Sequence, residues 1–292
     1  MNIDGKQLSG QLRQQIAADT ASFVRERGYA PALTVIIVGD DQASATYVRN
    51  KGRACEEVGM RSTIIALPAS TTEAALIALV KELNLDREVH GILVQLPLPA
   101  HIDPGRIIDT ISPDKDVDAL HPFNVGRLVQ GNPTFLPCTP AGILAMLDAY
   151  HIDIAGKHCV IIGRSNIVGK PLALLMLHRN ATVTVCHSKT KDLAALTRQA
   201  DILVAAVGKE KLLRGDMVKE GAVVIDVGMN RNSEGKLCGD ADYDTVNPRA
   251  AAITPVPGGV GPMTITMLLQ NTLRAARGLH AAQDAEKNEK ST

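Results

Sequence analysis

The stretch that most constrains the fold is His158 to Leu175, HCVIIGRSNIVGKPLALL. Its apolar run, Cys159 to Ile162, stops at Gly163, as a buried parallel strand does. A polar turn, Arg164-Ser165-Asn166, leads through Ile167-Val168-Gly169 to Pro171. Proline suits a first helical turn, because the amide it lacks would have no intrahelical partner. Strand, glycine turn and helix N-terminus offer backbone N–H groups and a helix dipole to an anion. The expected ligand is a pyridine dinucleotide, and the chain ahead of Asp153 is expected to build a substrate pocket facing it.

The turn alone is not diagnostic. A dinucleotide fingerprint reads GxGxxG, whereas five residues separate Gly163 from Gly169. A phosphate-binding loop needs a hydroxyl after its lysine, and here Pro171 follows Lys170. An ordinary strand–helix connection fits the same residues. The next strand adds information. NAD-binding lobes place an acid about 20 residues after the turn to accept from the ribose. This chain has Cys186-His187-Ser188-Lys189-Thr190 there, with no acid, and Arg164 in the turn itself. A guanidinium beside a hydroxyl and an ammonium suits a 2′-phosphate, so the sequence points to NADP over NAD. His187 alone reads as structural.

In chain order, Leu8, Leu12, Ile16 and Phe23 recur at helical spacing and predict an opening amphipathic helix. Strands are expected at Ala32–Val38, Arg61–Leu67 and Gly91–Leu96, the last stopped by Pro97 and Pro99. Between them lie helices at Ser44–Val58 and, capped by Thr71 or Thr72, at Glu73–Leu83. Asp103–Ile111 reads as a short helix and Ser112–Phe135 as a long loop, a length that usually serves function. Thr139-Pro140 reads as an N-cap and first-turn proline opening a helix through Tyr150, with the lobe boundary in or just after it.

Beyond it, strands are expected at 159–162, 182–186, 201–206, 222–227 and 253–256, with helices at 171–179 and 190–199. The loop Pro255 to Pro262 feeds a last helix, Thr264 to Arg277, stopped by Gly278 and followed by a disordered tail. Alternating strands and helices define an α/β fold with parallel sheets.

Composition narrows the function classes. Lysine plus arginine equal aspartate plus glutamate at 31 each, so no bulk positive field recruits nucleic acid or anionic membrane. Aromatic residues are 2% of the chain, which argues against a base-stacking surface. The cysteines (Cys55, Cys138, Cys159, Cys186, Cys238) are scattered and never spaced as CxxC. A disulfide framework or metal site is therefore not expected, and a reducing cytoplasm is. Neither a signal peptide nor a membrane span is expected from the N-terminus or from any apolar run.

Several polar residues stand where chemistry is done. Tyr47 and Lys51, four apart on the second helix, share a face, although a solvated face gives the same pattern. Short-chain dehydrogenases use Tyr-x-x-x-Lys after the dinucleotide turn; here the pair precedes it, so that reading fails. Gln95 closes a strand, where open parallel sheets bind ligands. Asp114, Asp116 and Asp118 start like a calcium loop, but Ala119 and Val125 occupy the glycine and glutamate positions. Turn-forming acids remain the plain alternative.

Taken together, SATYVRNK (44–51), GILVQLPLP (91–99), DKDVDALHPFNVGRL (114–128), PCTPAGI (137–143), VIIGRSNIVGKP (160–171), VTVCHSKT (183–190), VIDVGMN (224–230) and PVPGGVGPMT (255–264) closely resemble the bifunctional methylenetetrahydrofolate dehydrogenase/cyclohydrolase family. They span nearly the whole chain in the family's order. One departure is Ala119, where the family usually has glycine, which implies a stiffer loop beside a retained aspartate.

The resemblance implies two lobes. A folate-binding catalytic domain would take 1–148 plus 264–280, with the C-terminal helix returning to the first lobe. A Rossmann-like NADP domain would take 149–263, and a tail 281–292. Lys51 would be the general acid/base, Tyr47 would stack on the aminobenzoyl ring, Asp118 would hydrogen-bond the pterin, and Gln95 would sit beside Lys51. Pro257, Gly258 and Gly259 would also meet the folate. Gly163, Arg164, Ser165, Ile167, Ser188, Gly208, Met229 and Thr264 would contact NADP. A homodimer paired through the NADP lobes is implied as well. A base role for Lys51 requires its amine to lose its proton more readily than a free lysine near 10.4. The residues alone leave open another two-lobed NADP dehydrogenase, of amino or keto acids, and a dinucleotide-sensing regulator.

Overall fold

The computed structural model describes residues 1–289, with side chains at all of them except 42, 43 and 280–289. The chain forms two compact units, one of Met1–Gly10 and Pro137–Met267, the other of Gln11–Leu136 and the residues from Leu268 on.

Helix α1 (Gly5–Arg27) buries Leu8, Ile16 and Phe23 as its spacing predicts. Strand β1 (Ala32–Val38) is buried at every residue, because it is the central strand of a parallel sheet ordered β2-β1-β3. Helix α2 (Gln42–Glu57) crosses to β2 (Arg61–Leu67), and α3 (Glu73–Leu85), capped by the Thr72 hydroxyl, crosses to β3 (Gly91–Val94). Strand β3 ends two residues before the expected Leu96, where the Leu96–Pro97 peptide is cis. Helix α4 (Pro104–Thr110) takes its cap from Asp103. Ile36, Leu76, Val80, Ile92 and Ile107 fill this unit's core.

The expected loop 112–135 contains a helix, α5 (Pro122–Val129). Its N-cap is His121, whose Nδ1 accepts the Phe123 amide at 3.0 Å, so the usual hydroxyl or carboxylate signal was absent. Helix α6 (Cys138–Ala149) starts at Cys138, not at a Thr139 cap; Pro137 holds the cap position without a side-chain bond. Thr139 instead pairs its hydroxyl with that of Thr264 at 3.0 Å.

The other unit holds a five-stranded parallel sheet of β4 (His158–Ile162), β5 (Thr182–Cys186), β6 (Ile202–Ala205), β7 (Val223–Asp226) and, further on, β10 (Ala252–Ile253). The order β10-β7-β6-β4-β5 reverses between β4 and β6, which makes their carboxyl ends the switch point of a doubly wound sheet. Helices α7 (Gly169–His178) and α8 (Leu193–Thr197) link its first strands. A hairpin, β8 (Asn230–Arg231) with β9 (Leu237–Cys238), and a short α9 (Tyr243–Val246) precede β10. The N-terminus adds a further line to this sheet, with Ile3 donating to the Ile253 carbonyl and Ile253 to that of Met1.

Helix α10 runs Val260–Glu289, earlier and longer than the expected 264–277. Gly278 does not stop it: an interior glycine costs about 1 kcal/mol against alanine, and Leu273, Ala275 and Ala276 bury the turn before it. The expected tail is therefore helical through 289, and its remainder, 290–292, lies outside the described residues. The units divide at Pro137, ahead of α6 instead of behind it. Two contacts go with this: Asp148 pairs with Arg179, the residue just past α7, and Gly142 presses against Met263 so closely that a side chain there would collide.

Candidate functional site

In the Gln11–Leu136 unit, α2 positions the first group. Asp41 caps the helix by accepting the Ser44 amide at 2.7 Å. One turn on, Tyr47 and Lys51 project together, as their spacing predicts. Lys51 is 5% exposed, and its Nζ lies 4.6 Å from the centroid of the Tyr47 ring. The same Nζ donates to Gln95 Oε1 at 3.0 Å. Gln95 is held in turn, its Nε2 donating to the Leu96 carbonyl at 2.7 Å and its amide to the Ile36 carbonyl at 2.8 Å. An ammonium over a ring face gains from the ring's quadrupole, while Gln95 accepts without adding charge.

Asp118 comes from a segment laid parallel to β3, bridged at Ile92 and Asp116. It is half-buried, in the turn that follows the bridge. Asp116 is the organiser of this segment. Its carboxylate accepts the His121 amide (2.8 Å), the Leu120 amide (3.2 Å) and Asn124 Nδ2 (2.8 Å). Burial nevertheless pushes its carboxyl above the usual range. Ala119 follows with a φ of 58° and is 1% exposed. That left-handed conformation is one a glycine adopts without the cost that a side chain brings.

The second group lies at the carboxyl ends of the five-stranded sheet. Gly163 (φ 124°) leaves β4 with its amide on the Cys186 carbonyl at 2.8 Å. A side chain at Gly163 would collide with the Ala206 carbonyl, and one at Gly169 with that of Gly163. Both glycines are therefore required by close backbone approach, and the approach closes the turn onto β6. Arg164, Ser165 and Ile167 are exposed on this turn. Ser165 Oγ accepts the Val168 amide at 3.2 Å, and Lys170 Nζ donates to Asn166 Oδ1 at 2.7 Å.

The register of β4 with β5, Ile162 opposite Cys186, sets the 187–190 turn beside the Gly163 turn. His187 braces it: its amide donates to Thr190 Oγ1 (2.8 Å) and its Nδ1 accepts the Lys189 amide (3.1 Å). Ser188 is left exposed. Gly208 follows β6 and Met229 follows β7, the latter 55% exposed. Thr264 sits one turn into α10, bonded to Thr139. Pro257, Gly258 and Gly259 follow β10 and are pinned by the Lys6 amide on the Gly258 carbonyl at 2.8 Å. These three belong to the same compact unit as the glycine turn, whereas Lys51 belongs to the other.

A switch point at the sheet's carboxyl ends, a glycine turn that exposes Arg164 and an acid-free neighbouring turn fit a dinucleotide with a 2′-phosphate. Asp226 and Asp240, which tie the β6 and β7 loops together, were not anticipated. The only sequence signal was an acid at a strand end before a glycine, in VIDVG.

Fold and site define a dinucleotide-dependent α/β enzyme. Residues 3–118 match the tetrahydrofolate dehydrogenase/cyclohydrolase catalytic domain, and residues 137–280 match that family's NAD(P)-binding domain. The chain belongs to the tetrahydrofolate dehydrogenase/cyclohydrolase family. It is 61% identical to the bifunctional protein FolD of Polaromonas naphthalenivorans strain CJ2 over 94% of this chain and 97% of that one. It is 58% identical to the protein of the same name from Geobacillus thermodenitrificans strain NG80-2, over 96% and 98%. Among solved structures, bifunctional FolD from Campylobacter jejuni superposes with a TM-score of 0.93 at 51% identity, covering 95% of this chain and 99% of that one. The Trypanosoma brucei enzyme, solved with NADP and an inhibitor, gives 0.91 at 42% identity, covering 95% and 97%. Among the described residues no helix is long and apolar enough to cross a membrane.

Proposed function

We propose that this chain oxidises 5,10-methylenetetrahydrofolate with NADP and hydrolyses the resulting methenyl form to 10-formyltetrahydrofolate. The observation that carries the reading is the buried Lys51 amine, shared between Gln95 and the Tyr47 ring. NADP, when bound, supplies the hydride acceptor. Tyr47 stacks on the aminobenzoyl ring and Asp118 accepts from the pterin, which fixes the one-carbon unit and makes its reaction effectively unimolecular. Pro257, Gly258 and Gly259 contribute backbone to folate binding.

In hydrolysis, water attacks the methenyl carbon and Lys51 takes a proton as the carbon–oxygen bond forms. The carbon–nitrogen bond then breaks as the hydroxyl on that carbon releases its remaining proton to solvent and becomes the formyl oxygen, and the departing ring nitrogen takes up the proton held by Lys51. Gln95 orients the amine throughout without a charge that would hold the proton on it. Gly163, Ser165, Ile167, Gly208, Met229 and Thr264 line the NADP site, and Arg164 with Ser188 receives the 2′-phosphate. The folate-binding role falls mainly to the unit of Gln11–Leu136 and the residues from Leu268 on, and the NADP role to the unit of Met1–Gly10 and Pro137–Met267. The enzyme works in the cytoplasm as a homodimer paired through its NADP units, where β5 leaves an open sheet edge with Val185 37% exposed.

The test is turnover of methylenetetrahydrofolate with each nicotinamide cofactor, followed by detection of the formyl product. Reduction of NADP and appearance of 10-formyltetrahydrofolate are expected; NADP binding without turnover contradicts the reading. Arg164→Ala is expected to weaken NADP on the order of tenfold to a hundredfold, as loss of a charge-assisted contact does, with little effect on NAD. Equal losses for both cofactors contradict the 2′-phosphate assignment.

A further inference from the structure

Two buried carboxylates stand behind the loops assigned to NADP. Asp226, 4% exposed, ends β7, and Asp240, 0% exposed, lies just past the β8–β9 hairpin. Through Oδ2, Asp240 accepts the amides of Val207 (2.6 Å) and Gly208 (3.0 Å). Through Oδ1 it accepts the Lys209 amide (2.8 Å) and Asn230 Nδ2 (2.9 Å). Asp226 Oδ1 accepts the amides of Gly228 and Asp240, both at 2.9 Å, and its Oδ2 accepts that of Ala241, also at 2.9 Å. All these donors are neutral. Side chains at Gly228 and Gly239 would collide with Asp240 and Asp226, so the backbone closes directly on both carboxylates.

A buried charge costs several kcal/mol unless its acceptor sites are filled, and a turn needs only a neutral cap. A charged pair in this place holds more than a turn. It governs which way peptide groups face. In a planar trans peptide the carbonyl points opposite to the following N–H. Drawing the Val207 amide onto Asp240 therefore turns the Ala206 carbonyl the other way, toward Gly163, where its close approach excludes a side chain. The amides of 207–209 are consumed inward, so this loop offers no cradle for a phosphate. Anion binding is left to Arg164 and the exposed residues of the Gly163–Gly169 turn, and the β6 loop to a part of the ligand that presents no phosphate to it. The second loop is tied into the same unit, because Met229 is flanked by Gly228, held by Asp226, and Asn230, held by Asp240.

We propose that Asp226 and Asp240 are positioning residues that lock the 207–209 and 228–230 loops in the geometry that receives the nicotinamide half of NADP. The proposal rests on the NADP reading above and assigns the part of the cofactor that each loop meets. Its test compares binding of NADP with binding of adenosine 2′,5′-bisphosphate, which carries only the half read by Arg164 and Ser188. Asp240→Asn replaces one acceptor oxygen with a donor facing N–H groups. It is expected to weaken NADP tenfold or more, to change binding of the bisphosphate less than twofold, and to leave methenyl hydrolysis intact. Unchanged NADP binding, or equal loss of both ligands in a folded variant, overturns the proposal. If Asp240→Asn does not fold, Asn230→Ala decides: weaker NADP with unchanged bisphosphate supports it, and unchanged NADP refutes it. Wild-type protein that binds neither ligand overturns the NADP reading itself.

Discussion

At the scale of single residues, Ala119 shows how a departure from a pattern is explained by a dihedral angle. An alanine in the left-handed region costs roughly 1–2 kcal/mol, and glycine does not. Against that, Ala119→Gly removes a buried methyl group worth about 0.8 kcal/mol. The balance favours the variant, so Ala119→Gly is expected to match or exceed the parent in thermal stability. Ala54→Gly, at a 0% exposed position inside α2, is expected to lose about 1 kcal/mol or more. Equal losses in thermal unfolding contradict the strain argument. The residue scale is also where the sequence was most and least informative. Tyr47 and Lys51 were legible because helical spacing is local. The bond from Lys51 to Gln95 was not, since it joins α2 to the end of β3 and only resemblance placed the two together. Asp240 was invisible because its partners lie in loops far along the chain.

At the scale of elements, β1, β2 and β5 begin and end where expected; β1, central and buried at every residue, is written as a continuous apolar run, whereas β2 and β5 lie at sheet edges and mix polar with β-branched residues. Helix α5 escaped because its cap is a histidine, and α10 outran its expected end because packing outweighs one glycine. The junction of β1 and β3 carries an acid-sensitive contact. His90 is 2% exposed, stacks on Tyr29 at 5.4 Å, and its Nδ1 accepts the Ala32 amide at 3.1 Å. Burial, with Lys115 and Arg61 nearby, lowers its pKa from 6.5 to about 4. Only the neutral ring can accept that amide. Between these two values the unfolded chain binds the extra proton, so stability is complete above pH 6.5 and falls as pH drops toward 4. Urea unfolding followed by circular dichroism should show the midpoint declining over this window, with a shallower decline in His90→Gln. The same slope in both proteins contradicts the assignment.

At the scale of the whole molecule, two compact units carry separate chemical equipment. One holds a buried amine between a glutamine and a tyrosine, the other a glycine turn at the switch point of a doubly wound sheet. Alternation of strands and helices announced this α/β organisation, whereas the division at Pro137 depended on where α6 packs. Two activities in one chain follow if the amine serves the hydrolysis and the turn serves NADP. The most direct measurement is methenyltetrahydrofolate hydrolysis by Lys51→Met beside its binding of NADP. The account predicts that hydrolysis falls by a factor on the order of a hundred to ten thousand, as loss of a general acid/base does, while the dissociation constant for NADP is unchanged. Hydrolysis at the parent rate in the variant would contradict it.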